Sequence, residues 1–127
     1  MTPVTDTTAA EARPRAARTS GTVRVVGAGL LGSSIGHALR GLGVDVVLAD
    51  ASPAQLRLAI DYGAGRAAAE DDRPGLIVVA TPPDVVADVV ERELASYPGA
   101  VVTDVASVKL EPLHELRARG VDLTHYI

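Results

Sequence analysis

Apolar and polar positions along this chain follow two alternating rhythms. Short apolar runs at 23–26, 44–49, 76–80, 100–103 and 123–127, with a weaker one at 66–68, have the length and β-branched content of strands. Between them, segments 31–42, 53–62, 84–96 and 112–119 repeat their apolar residues at helical spacing. In the third of these, Val85, Val86, Val89, Val90 and Leu94 share one face, and Asp88, Glu91 and Arg92 lie opposite. Pro112 suits a first helical turn and Gly120 a helix exit. Strands that alternate with helices predict one α/β domain, a doubly wound and mostly parallel sheet with right-handed crossovers. Residues 1–22 carry neither rhythm and are expected to form a disordered tail, which leaves 23–127 as the domain. The chain reaches its last strand only at Ile127, an abrupt end that predicts a domain truncated at its C-terminus.

Composition narrows the classes of function. Hydrophobic residues make up 47% of the chain, yet there is no Phe, no Trp and only three Tyr. The core must be built from Val, Leu, Ile and Ala, which suits parallel strands covered on both faces. A net charge of −4 with scattered basic residues argues against a nucleic-acid surface, which needs clustered Lys and Arg. The scarcity of aromatic side chains also leaves little for bases to stack on. With no cysteine, disulfides, thiolate metal sites and thiol catalysis are excluded, and no metal site is predicted. No apolar run approaches the ~20 residues of a membrane span, and the N-terminal segment lacks the apolar stretch of a secretory signal. A cytoplasmic protein with no membrane partner is expected.

Candidate chemistry begins where the first strand meets the first helix. Gly27-Ala28-Gly29-Leu30-Leu31-Gly32 is a G-x-G-x-x-G turn between them. In such a turn the first glycine permits the tight bend, the second lets the backbone approach a pyrophosphate, and the third packs helix on strand. The helix N-terminus then offers N–H groups and partial positive charge to phosphate oxygens. Gly36, one turn on, extends the close-packing face. Asp50 ends the second strand near the ~20-residue separation from the glycines expected of a ribose-binding acid. A carboxylate there accepts from both ribose hydroxyls and repels a 2′-phosphate, and neither Ala51 nor Ser52 supplies a compensating cation. The pattern therefore predicts a Rossmann domain that binds NAD in preference to NADP. The plainer alternative is that the glycines serve turn and packing alone, with Asp50 capping the helix that starts at Pro53.

Two further segments fall at the carboxyl ends of strands, where this architecture binds ligands. Thr81, in Ala80-Thr81-Pro82-Pro83-Asp84, either bonds the cofactor or caps the following helix. Asp104, Ser107 and Lys109 form a polar cluster after the run at 100–103. Ser107 is placed to donate to a substrate hydroxyl or carboxylate and Lys109 to hold an anion. The alternative makes Ser107 a loop or capping residue and Lys109 a solvated cation. His37 and His114 read as structural or solvated, and position alone leaves the direction of His125 open.

The segments VVGAGLLGSSIGHAL, VVATPPD and VVTDVASVK, with their spacing to THYI, together resemble the N-terminal nucleotide-binding domain of the prephenate dehydrogenase family, in which arogenate dehydrogenases share the pattern. The resemblance covers residues 23–127. It implies NAD-dependent oxidative decarboxylation of prephenate to 4-hydroxyphenylpyruvate, a step of tyrosine biosynthesis. It assigns Ser107 to the reacting hydroxyl and Asp50 to the ribose, and gives Lys109 no chemical role. In that family a G-x-H-P motif follows the strand matching THYI and supplies a histidine to the hydroxyl, and a helical second domain completes the substrate site and a homodimer. Both are absent from the sequence here, so His125 is not promoted to that role, and this chain alone is expected to bind cofactor without turnover. Two other readings remain: a stand-alone NAD(H) sensor, and another Rossmann dehydrogenase of small acids. The choice between prephenate and arogenate, and any feedback by tyrosine, lie beyond these residues.

Overall fold

The computed structural model describes residues 21–105 and 110–127. Residues 1–20 of the expected tail, and the candidates Ser107 and Lys109, lie outside the described residues. Four of the apolar runs become strands: β1 (Thr22–Val26), β2 (Asp45–Ala49), β3 (Pro74–Val79) and β4 (Val101–Asp104). Helices α1 (Leu30–Gly41), α2 (Pro53–Asp61), α3 (Val86–Ser96) and α4 (Leu110–Ala118) alternate with them, and a single 3-10 turn (Pro83–Val85) leads into α3. The sheet order is β2-β1-β3-β4 and every pairing is parallel. The chain thus winds outward from β1 to β2, crosses back, and continues on the other side through β3. Strand order reverses between β1 and β3, and a crevice forms at the carboxyl ends of that pair.

Two expected strands shrink to single bridges, one beyond each edge of the sheet. Arg66 pairs with Val47, exchanging backbone bonds of 2.9 Å with Val46 and Leu48. Its guanidinium is then held by Asp45 at 2.9 Å and Asp72 at 2.7 Å, and Asp72 also accepts from the Ala69 N–H. Those bonds turn the chain into a loop instead of letting it follow β2. At the other edge Tyr126 pairs with Val102. There Asp122 accepts from the Thr124 N–H and Leu123 O from the Tyr126 N–H, so a local turn consumes the first half of the run.

Alternation along the strands divides the core between the two faces. Val23, Val25, Val46, Leu48 and Val78 face α1 and α2, where Ile35, Leu39, Leu56 and Ile60 pack against them. Val26, Ile77, Val79 and Val102 face the other way, beneath Val86, Val89 and Val90 of α3 and Leu116 of α4. Each fully buried Val or Leu stabilises the fold by ~1.5–3 kcal/mol relative to an exposed one. As expected, Gly36 is buried against the second layer: a Cβ there would lie 2.2 Å from Ala64 O, so α1 can sit this close only with glycine.

One inward position of the central strand is charged. Arg24 points into the α3 face, where its Nε and Nη2 donate to the Glu93 carboxylate at 2.7 and 3.3 Å. The guanidinium also stands 5.2 Å from the centre of the Tyr97 ring. The Glu93 side chain is 2% exposed and that of Arg24 14%, so this is a buried pair that links β1 to α3.

Candidate functional site

The crevice is built from the ends of three strands. Beyond Val26 the chain bends at Gly27 with φ +106°, and the Gly27 N–H donates to Ala49 O at 2.7 Å. A Cβ at Gly27 would meet Ala80 O at 2.5 Å, so β3 closes over this glycine as well. Gly32 is closed in the same way, because its Cβ would lie 1.7 Å from Gly27 O. Gly29 differs. Its φ of −75° suits any residue, and the nearest group to an added Cβ is the Gln55 amide at 3.6 Å. The protein itself explains the first and third glycines, whereas the second faces the open crevice. Gly29 is also the N-cap of α1, with no side-chain cap and no acidic residue in the first turn. The helix therefore presents its N-terminal partial charge uncompensated by a carboxylate of its own.

Asp50 is fixed at the end of β2 by three donors. The Ala28 N–H reaches Oδ2 at 2.6 Å, the Gln55 amide reaches Oδ2 at 2.8 Å, and the Ser52 N–H reaches Oδ1 at 2.7 Å. Partial burial works to raise its pKa, but the bonds from Ala28, Ser52 and Gln55 outweigh it and hold the carboxyl below its ordinary value. The cap of α2 belongs to Ser52, whose Oγ accepts from the Gln55 N–H at 3.2 Å. Asp50 braces that cap from outside the helix and is not the cap itself.

Thr81 follows β3 on the opposite wall. Its Oγ1 is buried and has no hydrogen-bond partner among the described residues. The adjacent turn has Pro82 at its N-cap position and no side-chain cap, so the hydroxyl is not spent on capping. A buried hydroxyl left unpaired is unfavourable, and such an atom beside a crevice is suited to a ligand.

These groups line one cleft of about 970 Å³. Gly27, Gly29, Leu30, Leu31, Asp50 and Thr81 all reach its surface, while Ala28 and Gly32 back it from beneath. Leu30 is 89% exposed and stands at the mouth. The residues fit a dinucleotide: an open glycine and free helix N-terminus for pyrophosphate, a carboxylate for ribose, an unpaired hydroxyl and an apolar wall. That wall comes from Val85 and Val89, with Asp88 and Arg92 at its rim, and Gln55 faces it. The helical spacing alone gives Asp88 and Arg92 only a solvent face. The signal that places them is connectivity, because only Pro82 and one 3-10 turn separate Thr81 from α3, so its first turns must flank the crevice.

The remaining candidates fall elsewhere. Asp104, at the carboxyl end of β4, is buried and accepts a hydrogen bond from the Tyr126 hydroxyl. Burial, and then this bond, push the Tyr126 phenol well above the usual tyrosine range. The His37 ring lies 2.6 Å from Tyr62 O and ties α1 to the end of α2, and His114 is exposed on α4. His125 Nδ1 bonds Pro98 O at 2.9 Å, at the amino end of β4, and so points away from the cleft. No described helix is long and apolar enough to cross a membrane.

The chain is similar to proteins named as prephenate and arogenate dehydrogenases. It is 43% identical over 102 residues to NovF of Streptomyces niveus, assigned as a prephenate dehydrogenase, covering 80% of this chain and 28% of that protein. Among solved structures, the arogenate dehydrogenase of Synechocystis matches with a TM-score of 0.65 and 28% identity, over 75% of this chain and 37% of that one. A protein of Corynebacterium glutamicum assigned as a prephenate dehydrogenase matches with a TM-score of 0.70 and 25% identity, over 85% of this chain and 36% of that one. This chain thus spans little more than a third of the relatives' length, or less. The family model for the prephenate dehydrogenase nucleotide-binding domain matches residues 35–127. With the doubly wound sheet and glycine turn described above, that match places the chain in the prephenate dehydrogenase family, as its nucleotide-binding domain.

Proposed function

We propose that this chain is the NAD-binding part of an enzyme that oxidises and decarboxylates prephenate or arogenate. The observation that carries the reading is the contrast among the glycines: the fold closes over Gly27 and Gly32, while Gly29 stands open toward Asp50 and Thr81. Gly29 and the first turn of α1 would hold the pyrophosphate, Asp50 the adenosine ribose, and Thr81 a polar group further along the dinucleotide. When bound, the nicotinamide supplies a hydride acceptor. The protein must then hold the hydroxyl-bearing ring carbon of the substrate against it and take up the hydroxyl proton. Ser107 is assigned to that hydroxyl by the DVASVK resemblance. The reaction, a homodimeric whole protein and a cytoplasmic setting belong to the same proposal, because this chain spans only part of its relatives.

Titration of the purified protein with NAD and NADP, followed calorimetrically, tests the cofactor assignment. Asp50→Ala is expected to weaken NAD about tenfold, the scale of a lost hydrogen bond to a charged group, and to weaken NADP much less. An unchanged NAD-to-NADP ratio in Asp50→Ala would remove Asp50 from the ribose.

A further inference from the structure

Gln55 holds an unusual place for a residue in a helix's first turn. Ser52-Pro53-Ala54-Gln55 has the S-x-x-Q spacing of a capping box, in which the glutamine side chain returns to the N–H of the N-cap serine. Only half of that box forms. The Ser52 Oγ accepts from the Gln55 N–H at 3.2 Å, but the Ser52 N–H is taken by Asp50 Oδ1 at 2.7 Å. The Gln55 amide, released from its helical duty, donates to Asp50 Oδ2 at 2.8 Å. It thereby comes within 3.6 Å of the Cβ position of Gly29 and stands in the cleft between the two.

Resting on the NAD reading above, we propose that the Gln55 amide competes with the adenosine ribose for Asp50 and sets the affinity of the site. Oδ2 already accepts from Ala28 and Gln55, and Oδ1 accepts from Ser52, so one well-placed acceptor direction remains. A ribose diol brings two donors. It can satisfy both against Asp50 only by displacing Gln55, the one donor of the three that is a rotatable side chain. A ligand with a single ribose hydroxyl has no need to displace it. Gln55 therefore holds nucleotide affinity below what Asp50 alone would give, and does so selectively for the intact diol.

The test is calorimetric binding of NAD, AMP and 2′-deoxy-AMP to the purified wild type, Gln55→Ala and Gln55→Met. The Met variant keeps the length of the side chain and removes the donor, and thermal melting checks that α2 is intact in both. Both variants are expected to bind NAD and AMP about three- to tenfold more tightly, with little change for 2′-deoxy-AMP, so the AMP preference widens. A merely structural role for Gln55 would leave that preference unmoved. If the wild type binds NAD and Asp50→Ala weakens it, while the Gln55 variants bind equally or less tightly, the competition is wrong and the cofactor reading stands. If the wild type binds no NAD, the cofactor reading fails and this proposal with it.

Discussion

Gly27 and Gly29 have two different physical reasons to lack a side chain. At Gly27 the reason is internal, a φ of +106° and a carbonyl 2.5 Å from any added Cβ. At Gly29 the backbone is ordinary and the nearest atom lies at van der Waals distance, so the reason must come from what enters the cleft. Alanine at each position separates the two. Gly27→Ala is expected to destabilise the fold by about 1–3 kcal/mol from backbone strain alone, and by more once Ala80 is pushed aside. Gly29→Ala is expected to melt at the wild-type temperature and to bind NAD about tenfold or more weakly, because a methyl group would keep the pyrophosphate from the backbone. Paired melting curves and NAD titrations decide the matter. If Gly29→Ala bound like wild type, the open glycine would lose its meaning, and if it unfolded like Gly27→Ala, packing would account for the whole turn.

Between β1 and α3, the Arg24–Glu93 pair carries a consequence for stability. The two charges are buried between β1 and α3, and each is tolerable only because the other is present. Glu93→Ala is expected to cost about 3–5 kcal/mol, because it leaves a largely buried guanidinium beside the Tyr97 ring without its carboxylate. The joint change Arg24→Met with Glu93→Leu is expected to recover most of that loss, since apolar residues of similar volume suit the same space. Urea unfolding of the two variants checks this, and a double variant as unstable as the single one would show that the pair does more than neutralise itself. The helical spacing of α3 was legible in its valines, but Glu93 was not, because a glutamate next to Arg92 reads as part of a solvated face. The signal lay on another element. Arg24 interrupts an apolar run on what must be the central strand, covered on both faces, and so requires a buried acid from whatever packs on it.

Across the whole molecule, what the sequence made legible was what local chemistry decides. Four strands, four helices, the glycine turn and Asp50 follow from periodicity and from two or three residues acting together. The edge bridges at Arg66 and Tyr126 did not, because side-chain bonds to Asp45, Asp72 and Asp122 curtail runs that look like strands. Nor did the role of Gln55, whose meaning depends on Asp50 having taken the bond that would complete a local cap. The same logic of assembly extends to the catalysis proposed above. The cleft gathers groups suited to a dinucleotide from the ends of β1, β2 and β3, whereas the partner proposed for the substrate hydroxyl, Ser107, comes later in the chain than β4. On that proposal, binding and chemistry should separate by mutation in a protein that joins this chain to the remaining length its relatives have. Such a protein is expected to reduce NAD when given prephenate or arogenate, with release of carbon dioxide. Ser107→Ala is expected to lower kcat about ten- to a hundredfold, the scale of one hydrogen bond to a reacting group, and to leave the Kd for NAD unchanged. Asp50→Ala should do the reverse, raising the NAD requirement while leaving kcat at saturating NAD within a few-fold. Steady-state kinetics at varied NAD, together with direct NAD titration, distinguish the two effects. If Ser107→Ala weakened NAD as much as it slowed turnover, the serine would belong to the cofactor site, and the reacting hydroxyl would need another partner.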